Sequence, residues 1–289
     1  MKRAFVILLS ILFFSCSNTG QEDNLSFTDD FNAQKYAVNN ACTEISLDQN
    51  WQFADFSKIN SGKARLYRAT EKRKNIIIAV DAGHGTKDGY KVKVYSHPDK
   101  SPKLTSGTNE QGAVESLAIS NGMIFNCGLS EADANLRVAI ILRRLLLQNG
   151  YDVLMLREEE DVQLDNIARI VISNNNADIH ISIHFDSDIR TTDKGCFYCG
   201  IPQGLKSLDN VNTHYSESEC LGTCLINKLQ ESGTSLFSNG RLEMDLIQTS
   251  YSTIPIVDIE LGNQCTIPNT SLLEARALAI FRGIEEYFS

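Results

Sequence analysis

The feature that most constrains the fold is an apolar run at residues 75–81, which ends in Asp-Ala-Gly just before His84. Such a run is typical of a strand buried on both faces of a sheet. Helical and strand patterns alternate after it, which predicts an α/β protein: a single open twisted, mostly parallel sheet with helices on both faces. The predicted helices are residues 135–148, 164–173, 216–231 and 272–288, and the predicted strands are residues 75–81, 151–156, 177–184 and 255–260.

Polar side chains stand at the ends of three predicted strands. His84 follows the first strand, and His184 and Glu260 end two later ones. In open α/β sheets, ligands bind beyond the carboxyl ends of the strands. With Glu131, at the start of a predicted helix, the two histidines offer the ligand set of a catalytic zinc site. From spacing alone, hydrogen-bonded polar residues at strand ends are the simpler alternative.

Four short motifs around these residues make the functional prediction more specific. They are residues 80–85 (Val-Asp-Ala-Gly-His-Gly), 128–136 (Gly-Leu-Ser-Glu-Ala-Asp-Ala-Asn-Leu), 182–184 (Ser-Ile-His) and 255–262 (Pro-Ile-Val-Asp-Ile-Glu-Leu-Gly). In this order they resemble the motifs of the zinc-dependent N-acetylmuramoyl-L-alanine amidases of the amidase-3 type, over residues 74–289. The resemblance implies that His84, Glu131 and His184 bind Zn²⁺ and that Glu260 is the catalytic carboxylate.

The chain departs from this family around its ligands. Ala82 and Thr86 stand where the family usually has Pro and a second Gly, and Phe185-Asp186 follow the second histidine where Ala-Asn is frequent. An insertion at residues 86–129 is much longer than the usual loop. Because both of its ends lie beside ligands, we expect it to line one wall of the groove, as a lid or a substrate-binding wall. Shortening it should change the preference between polymeric and soluble substrates without removing zinc.

The N-terminus has the three parts of a secretory signal. Lys2 and Arg3 precede an apolar stretch at residues 4–14, and Cys16 follows it, as in a bacterial lipoprotein signal. The stretch is shorter than the roughly 20 residues that a spanning helix needs. We therefore expect residues 1–15 to be a signal peptide, residues 16–73 to be a tether and N-terminal extension packed on the domain, and residues 74–289 to be the catalytic domain. A lipid on Cys16 would anchor the protein in the periplasm, with the outer membrane favoured.

Seven cysteines remain besides Cys16, an odd number that cannot all pair with one another. Cys196-x-x-Cys199 and Cys220-x-x-x-Cys224 resemble a structural zinc site in spacing. However, the first pair lies in a strand-like segment, where alternation sends the two sulfurs to opposite faces. Buried thiols or one disulfide are favoured.

The remaining histidines are predicted to lie away from the metal. His180 precedes His184 by four residues on the same strand face, about 13 Å away at 3.3 Å per residue. His97 and His214 lie in polar segments and are expected at the surface.

Charge and motifs together define the functional hypotheses. A net charge of −9 removes the attraction on which nucleic-acid binding depends. The leading hypothesis is a hydrolase that uses zinc to cut the amide between N-acetylmuramic acid and L-alanine in peptidoglycan, during cell-wall remodelling or recycling. The alternatives are an inactive cell-wall-binding lipoprotein and a zinc peptidase acting on stem peptides. Peptidoglycan and, through Cys16, a membrane are the expected partners, and an activator protein is left open.

Overall fold

The computed structural model describes residues 29–188 and 191–289. Within these ranges the strands are β1 (Cys42–Ile45), β2 (Ala64–Tyr67), β3 (Ile77–Ala82), β4 (Lys93–Tyr95), β5 (Glu115–Leu117), β6 (Asp152–Met155), β7 (Ile179–Asp186), β8 (Cys196–Gly200), β9 (Leu236–Glu243) and β10 (Ile256–Asn263). The α-helices are α1 (Glu131–Gln148), α2 (Asn166–Asn176), α3 (Asp209–Asn212), α4 (Tyr215–Glu231), α5 (Ile247–Tyr251) and α6 (Thr270–Tyr287).

Eight of the strands form one sheet in the order β1-β2-β6-β3-β7-β10-β8-β9. The central strands β6, β3, β7 and β10 are parallel to one another, and β8 and β9 are also a parallel pair. The pairs β1–β2, β2–β6 and β10–β8 are antiparallel. The predicted mostly parallel sheet is therefore confirmed.

The central strands are apolar because helices cover both faces of the sheet. On β3, Ile78 and Val80 belong to the apolar core that includes residues of α1, α4 and α6, whereas Ala79 belongs to the core on the other face, which includes residues of α2 and α5. Helix α1 begins where the sequence predicts a cap, since the Ser130 side chain accepts a hydrogen bond from the backbone N–H of Asp133 at 3.1 Å. The carboxyl ends of the central strands are thus held at a common edge.

The N-terminal extension contributes more than a packed segment. Within residues 31–73, β1 and β2 continue the sheet, and β2 pairs with β6 through Arg65, Leu66 and Tyr67. The proposed signal peptide, Cys16 and most of the tether lie outside the described residues. In the described ranges, no helix combines the length and apolar character needed to cross a bilayer.

The expectation that His97 and His214 lie at the surface is wrong. His97 is 1% exposed, and its Nε2 lies 2.9 Å from an Asp245 carboxylate oxygen. His214 is also buried, with its ring nitrogens 3.0 Å from the Ser218 hydroxyl and from the Ser252 carbonyl oxygen. Polar neighbours in sequence suggested exposure, but distant residues supply hydrogen bonds that let both imidazoles be buried.

Candidate metal centre at the strand ends

The parallel register brings the predicted site residues to one edge of the sheet. Ala82 on β3 lies opposite Ile183 on β7, and Glu260 on β10 lies opposite His184. His84 follows β3 by two residues, so it reaches the same edge. The strand-end placement predicted for His84, His184 and Glu260 is what the structure shows.

Three donor atoms converge beside these strand ends. His84 Nε2 lies 2.8 Å from Glu131 Oε1, His184 Nδ1 lies 3.0 Å from the same oxygen, and the two ring nitrogens are 3.1 Å apart. His84 and Glu131 are buried, and His184 is nearly so. Two nitrogens and one carboxylate oxygen, meeting at a single point, fit the protein side of a tetrahedral metal site with a remaining open position. These three residues form a group that could hold a metal ion.

The backbone around His84 is shaped for this arrangement. His84 itself has a positive φ of 66°. A Cβ on Gly83 would lie 2.2 Å from the His184 ring, so only glycine leaves room for that imidazole. Buried Arg169 donates hydrogen bonds to the His84 carbonyl oxygen at 2.7 Å and to Asp81 at 2.8 Å. Arg157 donates to the Gly83 carbonyl oxygen at 3.1 Å, so two arginines fix the turn that carries the ligand.

Residues 120–123 of the insertion support the ligands from behind. His84 Nδ1 donates to the Ser120 carbonyl oxygen at 2.9 Å, which leaves the Nε2 lone pair facing Glu131. The Met123 N–H donates to Glu131 Oε2 at 2.9 Å. A Cβ on Gly122 would lie 2.7 Å from both Glu131 Oε2 and the His84 ring. This support was missed by sequence reasoning, because these residues carry no recognisable ligand type.

The charges of the ligands differ between residues. Burial alone would raise the pKa of Glu131, but His84 and His184 hold that pKa well below its usual range, so the carboxylate is ionised. Burial alone would lower the pKa of His184, but the carboxylates of Asp258 and Glu131 raise it to about 10. An arriving metal ion would therefore replace a proton on His184.

Glu260 stands beside the three ligands without belonging to their group. Its Oε2 atom is buried and has no hydrogen-bond partner among the described residues. Burial, followed by the neighbouring charges of Asp258 and Glu131, raises the pKa of Glu260 well above its usual value. The carboxyl is thus suited to hold a proton and to release it to a basic atom.

Asp258 is a further site residue that sequence reasoning missed. It lies two residues before Glu260 and therefore on the same face of β10. Its Oδ2 lies 3.7 Å from His184 Nε2, the ring nitrogen that faces away from Glu131. Burial raises the pKa of Asp258. The signal was present in the sequence as a charged residue inside the apolar segment 255–260.

The donor atoms open into a groove with a cavity of about 570 Å³. The insertion contributes residues 103, 106–109, 117 and 119–123 to its lining, and residues 244–248 line it as well. The prediction that residues 86–129 line one wall is confirmed.

Polar contacts join these two parts of the wall. Asp245 accepts hydrogen bonds from His97 Nε2 at 2.9 Å and from the Leu104 N–H at 2.6 Å. Buried Lys103 donates to the Asp245 carbonyl oxygen, and its ammonium lies 3.8 Å from the Asp245 carboxylate. The insertion is therefore anchored at its middle as well as at its ends.

Comparisons with known proteins agree with this geometry. Residues 78–284 match the family model described as N-acetylmuramoyl-L-alanine amidase, Amidase_3. The fold is similar to that of the N-acetylmuramyl-L-alanine amidase Ami1 from Mycobacterium abscessus, with a TM-score of 0.60 and 20% identity over 74% of this chain and 99% of that one.

Two further solved structures share the fold. The amidase AmiC2 of Nostoc punctiforme has a TM-score of 0.53 and 20% identity over 75% of this chain and 98% of its own. The CwlD amidase from Clostridioides difficile, solved in complex with the GerS lipoprotein, has a TM-score of 0.52 and 21% identity over 74% and 98%. Among curated proteins no significant match is found.

Proposed function

Since the chain belongs to the N-acetylmuramoyl-L-alanine amidase family of the amidase-3 type, we propose that it is a zinc-dependent hydrolase of the amide between N-acetylmuramic acid and L-alanine in peptidoglycan. The observation that carries the proposal is the convergence of His84, Glu131 and His184 within 3.1 Å of one another, with Glu260 beside them.

His84, Glu131 and His184 would hold the zinc ion. When bound, zinc lowers the pKa of a water molecule and polarises the carbonyl that this water attacks. The Ser120 carbonyl oxygen keeps the His84 proton on Nδ1, so that Nε2 is available as a donor. The ionised Glu131 supplies the negative charge among the three ligands.

Glu260 is proposed to move the proton. Glu260 lines the groove, its Oε2 has no partner among the described residues, and the carboxylate can accept the proton of the attacking water. The amine of L-alanine is a poor leaving group unless it is protonated. The raised pKa of Glu260 suits both halves of this task, because it makes the carboxylate a stronger base toward the proton of water, and that proton can then pass to the amine.

The alternatives are a protein that cuts no bond and an enzyme that cuts a different bond. An inactive cell-wall-binding protein would have no need for a buried, unpartnered carboxylate beside three metal-binding side chains. A zinc peptidase acting on stem peptides could use the same residues, so the products must distinguish it from an amidase.

We extend the proposal to the location of the enzyme. The sequence of residues 1–16 supports export and lipid attachment at Cys16, which would place the domain in the periplasm, with the outer membrane favoured. Labelling with a radioactive fatty acid tests this part, with Cys16→Ala as the variant that should lose the label. CwlD was solved with a lipoprotein partner, and an accessory protein for this chain can be sought by crosslinking in cells.

The activity is tested by digesting purified peptidoglycan and analysing the products by mass spectrometry. An amidase frees the amine of L-alanine and leaves the lactyl carboxylate on the sugar. A chelator should stop the release, and added zinc should restore it. Fragments cut within the stem peptide would favour the peptidase, and an unchanged polymer in the presence of zinc would favour binding alone.

A further inference from the structure

A second cluster of metal-binding atoms lies next to the first. Cys199 on β8 and Asp258 and Glu260 on β10 place a thiol sulfur and two carboxylate oxygens within 4.8 Å of one another. We propose that this cluster is a second, weaker site for a thiophilic divalent cation such as Zn²⁺ or Cd²⁺. The proposed hydrolysis uses Glu260 but does not require a cation at this second site.

The contacts within the cluster suit a cation. Cys199 Sγ lies 3.8 Å from Asp258 Oδ1 and 3.5 Å from the Met244 sulfur. Glu260 is nine-tenths buried, and its Oε2 has no hydrogen-bond partner among the described residues. Two buried carboxylates side by side repel each other unless a proton or a cation lies between them.

Positive charge beside this cluster comes from Lys194 and His184, and other carboxylates share both. Lys194 is the ammonium whose charge acts on both Glu260 and Cys199, but it forms ion pairs with Asp186 and Asp188. His184 Nε2 lies 3.7 Å from Asp258 Oδ2 and has no hydrogen-bond partner in the described part of the chain. The two clusters are therefore separated by one imidazole ring, with Nδ1 on one side and Nε2 on the other.

The donor set selects the cation. A thiolate with a neighbouring thioether favours Zn²⁺ and softer ions, whereas Mg²⁺ and Ca²⁺ prefer oxygen ligands alone. On binding, the S–H bond of Cys199 breaks, a sulfur–metal bond forms and one proton leaves to solvent. The donor atoms of the first site lie 2.8–3.1 Å apart, whereas Cys199 Sγ lies 3.8 Å from Asp258 Oδ1, so the second site should fill after the first.

Occupation of the second site has a functional consequence, which rests on the proposed function. A cation bound to Glu260 would occupy the carboxylate that is proposed to accept the proton of water. Excess zinc should therefore inhibit the enzyme, and Cys199→Ser should reduce this inhibition.

The test is a cadmium titration of the full-length protein after its metal has been removed with a chelator. Equilibrium dialysis counts the bound ions, and the ultraviolet sulfur-to-cadmium charge-transfer band reports thiolate binding. Cys199→Ser should bind one equivalent fewer than the wild type and lose the matching part of the band. Cys220→Ser, which changes an exposed cysteine on α4, controls for binding to other thiols and should leave the Cys199-dependent equivalent in place.

Equal stoichiometry and equal bands in the wild type and Cys199→Ser would overturn the second site. If Cys199→Ser does not fold, as judged by circular dichroism, Asp258→Asn decides in the same way, and an unchanged second equivalent in that variant would also overturn it. A Cys199-dependent equivalent in a protein without amidase activity would uphold the site and reject the proposed function. Amidase activity without a Cys199-dependent equivalent would uphold the proposed function and reject the second site.

Discussion

The two sides of the groove meet at the same ligands but are held by different forces. On the sheet side, His84 follows β3, and His184 and Glu260 lie near the ends of β7 and β10; helices pack on both faces of this sheet. On the insertion side, residues 86–129 contain only the short strands β4 and β5 and a single 3₁₀ turn. That side adds Val94, Ala118 and Phe125 to the apolar cores and is also fixed by hydrogen bonds, such as those from His97 and Leu104 to Asp245.

The difference shows that one metal centre can be assembled by sheet topology and completed by a polar loop. The parallel register places the histidines, whereas Ser120 and Met123 of the insertion orient His84 and Glu131 from behind. We therefore expect changes on the sheet side to remove the metal. Changes in the insertion should alter substrate preference, and only those that touch residues 120–123 should also lower metal affinity.

Glu131→Gln should have the largest effect, because it removes the one ionised ligand. Loss of a residue behind a metal ligand typically costs about 10- to 100-fold in affinity or activity, and loss of the ligand should cost more. Zinc content and amidase rate measure the effect. Asp133→Asn, a change on the same helical turn, is the matched control and should keep both. Full zinc content in Glu131→Gln would show that Glu131 is not a zinc ligand together with His84 and His184.

Gly122→Ala tests the point where the two sides touch. Both Gly122 and Gly112 have positive φ angles, so alanine strains the backbone at either position. Only at Gly122 would the added Cβ meet Glu131 and His84, since nothing lies within 4 Å of that position at Gly112. We expect zinc affinity to fall about 10- to 100-fold in Gly122→Ala and to be kept in Gly112→Ala. Competition with a chelator measures both zinc affinities. Equal zinc affinities in Gly122→Ala and Gly112→Ala would show that the insertion does not support the metal ligands.

Shortening the middle of the insertion should have a smaller effect, confined to substrate choice. The Ser96 N–H donates to the Val114 carbonyl oxygen at 2.9 Å, so an Asn-Gly turn can replace residues 97–113 between β4 and β5. Residues 120–123 remain, and zinc content should be unchanged. The opened groove should raise the rate on polymeric peptidoglycan relative to soluble muramyl peptides. If the ratio of the two rates is unchanged, the insertion does not select between these substrates.

The smallest expected effect is a pH dependence of the anchor. Burial alone would raise the pKa of Asp245, but His97, the Leu104 N–H and Lys103 lower it. A carboxyl with a lowered pKa stabilises the folded state above its ordinary pKa, and this contribution is lost as the pH falls through the folded value. The wild type should therefore exceed Asp245→Asn in free energy of unfolding at pH 6, and the gap should narrow toward pH 3.5. Urea unfolding at both pH values measures this, and a constant gap would contradict it.

The sequence predicted the parts of the site that depend on local pattern. The apolar strands and the Ser130 cap predict where His84, Glu131, His184 and Glu260 lie, because sheet topology brings strand ends together. It did not predict that His97 is buried, since the residue that binds it, Asp245, lies 148 positions further along the chain. The support from Ser120 was also hidden, because a backbone carbonyl oxygen is common to every residue type. Asp258 could have been found as a charge within an apolar strand.

The most direct test of the account is the behaviour of Glu260→Gln, since the account separates the metal ligands from the residue that moves the proton. The amide has nearly the same shape but cannot accept the proton of water. The variant should keep the zinc content of the wild type and lose amidase turnover by about 10²- to 10⁴-fold. Zinc analysis and product formation on the same protein sample measure both. Wild-type turnover in this variant, or loss of its zinc, would contradict the assignment of Glu260.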